Sequence, residues 1–327
     1  FNFIEVNQMD IVVLYGGRSP ERLISEVSSR QIAEALTTDN VIRLNLNGIY
    51  NFENKEVKHF SELYKLYQEG SLSEFEIDKS AEITDSVIEI CKLADIVFLS
   101  THGGIGENGK LQALLDICNI KYTGNGYQSN AISLDKKLSK RLVSTVGIKT
   151  PYEYIEENKF VFPLVIKPND SGSSIGVQII KTKEELQQFD LENYNIEEYI
   201  SGREISIGVI GEKILQPIEI VIEGGFYDYE KKYTPGVVKE ICPANISEEL
   251  KKRLEIYAKT VHDLMGFEVY SRSDFIIDDN GEIYFIETNS IPGMTPTSLL
   301  PKEAEAEGIN FSNLCKKIIN LSIKKYN

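Results

Sequence analysis

Two runs rich in β-branched and aromatic residues, Val269–Ile277 and Glu282–Asn289, flank the tetrapeptide Asp278-Asp279-Asn280-Gly281. An Asn-Gly pair between such runs is the strongest short-range signal for a β-hairpin. A two-residue turn at Asn280-Gly281 sets Asp274 opposite Glu287 and Arg272 opposite Asn289. Side chains alternate along a strand, so all four share one face, and displacing the turn by one residue keeps them there. Two carboxylates and an amide oxygen are hard ligands that suit magnesium. An adjacent arginine suits charge developing on a reacting oxygen. The same residues would also make a cross-strand salt-bridge network on a solvated face. The continuation Ser290-Ile291-Pro292-Gly293-Met294-Thr295, leading to Ser298-Leu299, favours chemistry, because it brings a glycine N–H beside the carboxylates.

The N-terminal part reads differently. Ile11–Tyr15 is a short, continuous apolar run ending in Gly16-Gly17, and Asp95–Ser100 is another, ending in Thr101-His102-Gly103-Gly104. Unbroken apolar runs of this length imply strands buried on both faces, as in parallel sheets. Helical patterns follow each, over about Ser25–Leu36 and Leu111–Cys118, and then comes the run Ile120–Tyr122. The alternation predicts an open parallel α/β sheet, whose ligands sit beyond the carboxyl ends of the strands, where both glycine turns lie. The middle predicts strands at Phe160–Lys167, Val177–Lys181, Ile196–Ile200, Ile205–Ile210 and Ile214–Ile222, with amphipathic helices over about Ser247–Met265 and Phe311–Ile323. The loop Pro168–Gly176 could cradle phosphates with its backbone N–H groups, or simply connect two strands. Lys136 could serve a phosphate or be a plain surface lysine.

At 327 residues the chain has room for two or three domains. Its formal net charge of −15 repels phosphate backbones, which excludes nucleic acid as an expected partner. No apolar run approaches the roughly 20 residues of a membrane span. The 4 cysteines contain no CxxC pair and read as reduced thiols of a cytoplasmic protein, and the 3 histidines are too scattered for a zinc site. Residues 1–8 lack the pattern of a signal peptide; they read as an extension or remnant before Met9, which directly precedes the first strand.

Five stretches, in order along nearly the whole chain, resemble the D-alanine–D-alanine ligases. They are Gly16-Gly17-Arg18-Ser19-Pro20-Glu21-Arg22-Leu23-Ile24-Ser25, His102–Gly109 (HGGIGENG), and Tyr122-Thr123-Gly124-Asn125-Gly126 running on to Asp135-Lys136. Arg272-Ser273-Asp274-Phe275 and Glu287–Thr295 (ETNSIPGMT) complete the set. The resemblance implies an α/β chain with an N-terminal Rossmann-like domain at 1–125. An ATP-grasp fold would follow, with a central domain at 126–197 and a C-terminal catalytic domain at 198–327. It further implies ATP-dependent joining of two D-alanines through a D-alanyl phosphate, for bacterial peptidoglycan. Two magnesium ions, replaceable by manganese, and a homodimer come with it.

The roles carry over residue by residue. Glu21 would hold the ammonium of the first D-alanine, with His102 near it and Ser173 and Tyr233 as hydrogen-bonding partners that close the site. Lys136, Lys167 and Lys232 would hold ATP phosphates. Glu197 and Glu204 would bind the adenine amino group and the ribose, with Ser174, Ile200 and Phe226 completing the nucleotide site. Asp274, Glu287 and Asn289 would ligate the metal. Arg272 and the Gly293 N–H would meet the oxyanion, and Ser298 and Leu299 the second D-alanine. The polar, aromatic loop Glu223–Pro243 would be the lid that keeps water from the acyl phosphate.

Asn108 stands where the family has Asp. Ligases that make D-alanine–D-lactate or D-alanine–D-serine also resemble this chain, but Tyr233 and Leu299 favour D-alanine as second substrate. A non-catalytic ATP-binding scaffold would have lost one of Glu21, Arg272, Glu287 or Asn289. Another carboxylate–amine ligase of the ATP-grasp class would have no reason to keep the Glu21 motif or Ser298-Leu299.

Overall fold

The structure is a computed structural model that describes residues 8–51, 57–155, 159–170, 172, 176–191, 194–222 and 238–327. Ser173, Ser174, Phe226, Lys232, Tyr233 and most of the expected lid lie outside the described residues.

The strands, in chain order, begin with β1 (Asp10–Tyr15), β2 (Asn40–Asn45), β3 (Gly48–Asn51), β4 (Ser73–Ile77) and β5 (Ile96–Leu99). The parallel sheet expected from the apolar runs is present, in the order β2-β1-β5. Ile11, Val12, Val13 and Leu14 are all fully buried, which is why the run does not alternate. Its two faces have different neighbours. Val12 and Leu14 pack with Ile42, Leu44, Val97 and Leu99 on one side. Ile11 and Val13 pack with Leu300, Leu314, Ile318 and Ile319, so segments near the C-terminus cover the other face. The helix Arg22–Ala35 begins three residues before the expected Ser25, just after Pro20, and this places Glu21 at its N-cap position.

The middle holds β6 (Leu164–Pro168), β7 (Gln178–Ile180) and β8 (Tyr194–Glu198), an antiparallel sheet in the order β7-β6-β8. The strand expected from Phe160 starts only at Leu164, behind Pro163, which has no N–H to give a ladder. Next come β9 (Gly202–Ile210), β10 (Lys213–Ile214), β11 (Ile218–Ile222), β12 (Val238–Ile241), β13 (Tyr270–Asp278) and β14 (Ile283–Asn289). They form one antiparallel sheet, β12-β11-β9-β13-β14, with β10 added on β9. The run Ile214–Ile222, expected as one strand, is split: Leu215 still donates its N–H to the Gly208 carbonyl in line with the β9–β10 pairing, and Pro217, without an N–H, precedes β11.

The helix Glu248–Leu264 is capped by Ser247, which accepts the Leu250 N–H. Its Leu254, Ala258 and Val261 recur at helical spacing and bury against Ile205, Ile207, Val209, Phe275 and Phe285. Val143 and Ile148, in and just after the helix Lys136–Thr145, join this same core. That helix is thereby held beside β14, the edge strand of the sheet.

The hairpin has the expected facing pairs but not the expected turn. Arg272 faces Asn289 and Asp274 faces Glu287, yet Phe275 faces Phe285 and Ile277 faces Ile283. The loop has three residues, Asp279, Asn280 and Gly281: Asp278 donates its N–H to the Glu282 carbonyl, and Gly281 sits at φ +77°. A three-residue loop with a left-handed glycine is the next favoured hairpin connection. It shifts the register by one, which alone would turn the carboxylates to opposite faces. A bulge beyond Asp274, where Ile286 is the extra residue, restores the pairing.

Candidate active site

Antiparallel register collects the first group of site residues on one face of the largest sheet. Asp274 on β13 lies between Ser206 on β9 and Glu287 on β14, and Arg272 lies between Gly208 and Asn289. Glu204, two residues before Ser206, shares that face. Arg272 grips Asp274 through two bonds, Nε to Oδ1 at 3.0 Å and Nη2 to Oδ2 at 2.8 Å. The Ser206 hydroxyl donates to Asp274 Oδ1. Asn289 Nδ2 reaches Asp274 Oδ2 at 3.4 Å, and Lys136 Nζ pairs with Glu287 Oε2 at 3.1 Å. Burial works against the Arg272 charge, but the Asp274 carboxylate outweighs it and holds the guanidinium above its usual range.

Lys136 is placed by its own helix start. Asp135 caps the helix by accepting the Leu138 N–H at 2.9 Å, and it also accepts Asn169 Nδ2 at 2.8 Å. Asn169 in turn accepts the Lys137 N–H through its side chain and the Lys136 N–H through its carbonyl. The turn after β6 is thus tied to the helix that carries Lys136, and this brings Gly172 to Glu21.

Glu21 is buried between two glycines. A Cβ on Gly103 would come within 2.7 Å of Glu21 Oε2, and one on Gly172 within 3.0 Å. Gly103 also has φ +66°, so its conformation and its space both call for glycine. Its N–H donates to Glu107 Oε2 at 2.5 Å. Burial, and next the Glu21 charge, push the Glu107 carboxyl up to about 8. His102 lies 3.4 Å through Nε2 from the Ser28 hydroxyl, and burial, with the Arg272 charge, brings it down to about 4, so its ring is neutral at pH 7.

A second charged group lies on β6 and β8. Lys167 Nζ is 2.6 Å from Glu197 Oε2, Lys140 Nζ meets Oε1, and Asn195 Nδ2 donates to Oε1 at 2.5 Å. Against the upward push of burial, the two lysines hold Glu197 down at about 2. Ile200 sits in the short link from β8 to β9.

The segment after β14 is fixed by one amide. Asn125 Nδ2 donates to the carbonyls of Tyr270 and Ser290, and its Oδ1 accepts the N–H groups of Glu268 and Val269. Beyond Ser290, Gly293 lies so close to Ser298 that a Cβ would meet the hydroxyl at 2.9 Å. Ser298 is at the N-cap of the helix Leu299–Ala306, and its Oγ accepts the Thr295 N–H at 3.1 Å. The Leu299 side chain turns away into an apolar cluster with Ile218 and Ile220, leaving its backbone at the helix start.

Glu21, His102, Lys136, Arg272, Asp274, Glu287 and Asn289 therefore converge, with Lys167 and Glu197 on the neighbouring sheet. Sequence reasoning missed Glu107, Lys140, Ser206 and Glu303. Glu107 stood inside a quoted motif. Lys140 stood one helical turn after Lys136. Nothing local marks Ser206 or Glu303. The donor set suits a hard cation: Asp274, Glu287 and Asn289 offer three oxygen-bearing side chains across two facing pairs, each acid now balanced by a basic side chain.

Residues 10–125 match the family model for the D-ala D-ala ligase N-terminus, and residues 145–320 match the one for the C-terminus. The chain is 36% identical over 340 aligned positions to a D-alanine–D-alanine ligase of Pediococcus pentosaceus, covering 95% of this chain and 97% of that one. It superposes on the D-alanine–D-alanine ligase of Bacillus anthracis complexed with ATP with TM-score 0.72 and 30% identity, covering 98% of both chains. The VanG D-Ala:D-Ser ligase of Enterococcus faecalis superposes with TM-score 0.76 at 28% identity, over 96% of this chain and 99% of that one. Matched in both its halves and along nearly its whole length, the chain belongs to the D-alanine–D-alanine ligase family.

Proposed function

We propose that this chain joins two D-alanines into D-alanyl-D-alanine, with ATP converted to ADP and phosphate through a D-alanyl phosphate. The observation that carries the reading is the shared face of Arg272, Asp274, Glu287 and Asn289, with Lys136 reaching it from the helix beside β14 and Glu21 buried nearby.

A carboxylate is a poor acyl donor, because oxide would have to leave. Transfer of the γ-phosphoryl group onto it makes phosphate the leaving group. Lys136 and Lys167 balance the phosphates, and Lys232 and Ser174, beyond the described residues, add to them. Asp274, Glu287 and Asn289 would hold magnesium, as two ions and with manganese as a substitute, which would supply neutralisation of phosphate charge. Glu21, with neutral His102 beside it, orients the first D-alanine by its ammonium group. Glu197, Ile200, Glu204 and Phe226 receive adenine and ribose. The amine of the second alanine, placed by Ser298 and the Leu299 backbone, attacks the acyl carbon. Arg272 and the Gly293 N–H meet the oxyanion, and phosphate departs. Ser173 and Tyr233 close over the site. Segments 1–125, 126–197 and 198–327 supply these parts in turn, in a cytoplasmic homodimer serving peptidoglycan synthesis. Among the described residues no helix is long and apolar enough to cross a membrane.

Phosphate release with magnesium, ATP and D-alanine alone, with a dipeptide by mass, is the expected result. Release that requires added D-serine or D-lactate would move the second substrate. No release under any of these conditions would overturn the reading.

A further inference from the structure

Glu197 is 2% exposed and faces two ammonium groups, those of Lys140 and Lys167, which are themselves almost wholly buried. One cation is enough to balance one carboxylate. A second buried ammonium is costly to hold, so its presence asks for a reason.

The helix supplies part of it. Lys136 and Lys140 are four residues apart, so both leave the helix Lys136–Thr145 on one side. Each ends on an acid of a facing strand, Glu287 on β14 and Glu197 on β8. The chemistry supplies the rest. If Lys167 is to hold a phosphate, that phosphate competes with Glu197, 2.6 Å away, for the same ammonium. Glu197 is too deeply buried to be left without a cation.

We propose that Lys140 is a positioning residue for the nucleotide: it stays on Glu197 and so releases Lys167 to the phosphates. The proposal rests on the roles given to Lys167 and Glu197 above. Burial, against the upward pull of the Glu197 carboxylate and with help from the neighbouring Lys167 charge, holds the Lys140 ammonium well below its ordinary range. When Lys167 moves towards a phosphate, that opposing charge weakens, and the Lys140–Glu197 pair tightens as the nucleotide binds. Asn195 Oδ1 is buried with no hydrogen-bond partner among the described residues, so the cluster has a spare acceptor for the rearrangement. Without Lys140, Lys167 would be the sole cation on Glu197 and would be retained there.

The test is Lys140→Met in the full chain, with ATP affinity measured by calorimetry without D-alanine and KM and kcat measured beside it. The expected result is a rise of about tenfold or more in both Kd and KM for ATP. The KM for D-alanine stays put, and kcat at saturating ATP changes by less than about threefold. Lys140→Arg restores most of the affinity, since the cavity of about 270 Å³ lined by Lys140, Ser144, Thr150 and Tyr152 gives the longer side chain room. Unchanged ATP affinity in Lys140→Met, or a loss spread equally over kcat and the KM for D-alanine, overturns the proposal. If Lys140→Met does not fold, Lys140→Gln carries the same comparison with Lys140→Arg. A wild-type chain that binds ATP but forms no dipeptide overturns the proposed function and leaves this comparison readable.

Discussion

The two charged clusters use the same residue types and reach opposite balances. On the hairpin, Asp274 and Glu287 face Arg272 and Lys136, with the neutral Ser206 and Asn289 completing the set. On β8, one acid, Glu197, faces Lys140 and Lys167. The hairpin acids are also less enclosed: the Glu287 side chain is 20% exposed against 2% for Glu197. A balanced, partly open cluster can exchange its lysine and arginine for a metal cation. An enclosed cluster with surplus positive charge can lend a cation to an anion. The first should therefore govern the rate and the second the affinity for nucleotide.

Arg272→Met is the widest break of that contrast. It removes the cation nearest the expected oxyanion and leaves β8 untouched. The expected loss is about 10²–10³-fold in kcat, the scale seen when an oxyanion donor is removed, with little change in the KM for ATP. Steady-state kinetics in both substrates checks it. A change confined to the KM for ATP would mean that the hairpin cluster also serves nucleotide affinity.

A residue beside the hairpin cluster offers a test on stability. Glu303, in the helix Leu299–Ala306, is fully buried, with its carboxyl against the Gly208 backbone N–H. It lies over Gly208, where a Cβ would come to 2.6 Å from Oε2. Burial, only partly offset by Arg272 and the Gly208 N–H and reinforced by the Asp274 charge, pushes it up to about 8. The folded chain then keeps a proton that the unfolded chain gives up near pH 4.5. Stability is full below that pH and falls as pH rises towards 8. Glu303→Leu removes this slope and fills a site edged by Leu215 and Leu300. It should raise stability by about 1–3 kcal/mol, more at pH 8 than at pH 5, read from Tm at both values. An equal gain at both pH values would show that the carboxyl is not the cause.

Much of this architecture was legible because local pattern and tertiary environment agreed. The unbroken apolar runs at β1 and β5 could only be strands buried on both faces. The hairpin pairs came out right although the turn was read wrongly, because a three-residue loop and the bulge at Ile286 offset each other, and a bulge leaves no local mark in sequence. β4 was not legible: Ser73-Glu74-Phe75-Glu76-Ile77 is exposed throughout and is a strand only by pairing with β3. Lys140 and Glu303 lie in the helices Lys136–Thr145 and Leu299–Ala306, where a charged residue ordinarily faces solvent. What buries them is β8 in one case and Gly208 in the other, each distant in sequence.

The smallest expected effect separates the clusters most sharply. Ser206 donates to Asp274 Oδ1, and Asn195 donates to Glu197 Oε1, so in each cluster a neutral side chain braces an acid. Loss of such a bond is worth about 0.5–1.5 kcal/mol, or roughly two- to tenfold in a binding constant. In Ser206→Ala the brace on a metal-facing carboxylate is gone, so the magnesium concentration for half-maximal rate should rise by that factor while the KM for ATP at saturating magnesium holds. In Asn195→Ala the same loss falls on the acid that competes for Lys167, so the KM for ATP should move and the magnesium requirement should not. Crossed effects of equal size would mean that the clusters act as one electrostatic unit across the helix Lys136–Thr145, which carries a lysine to each.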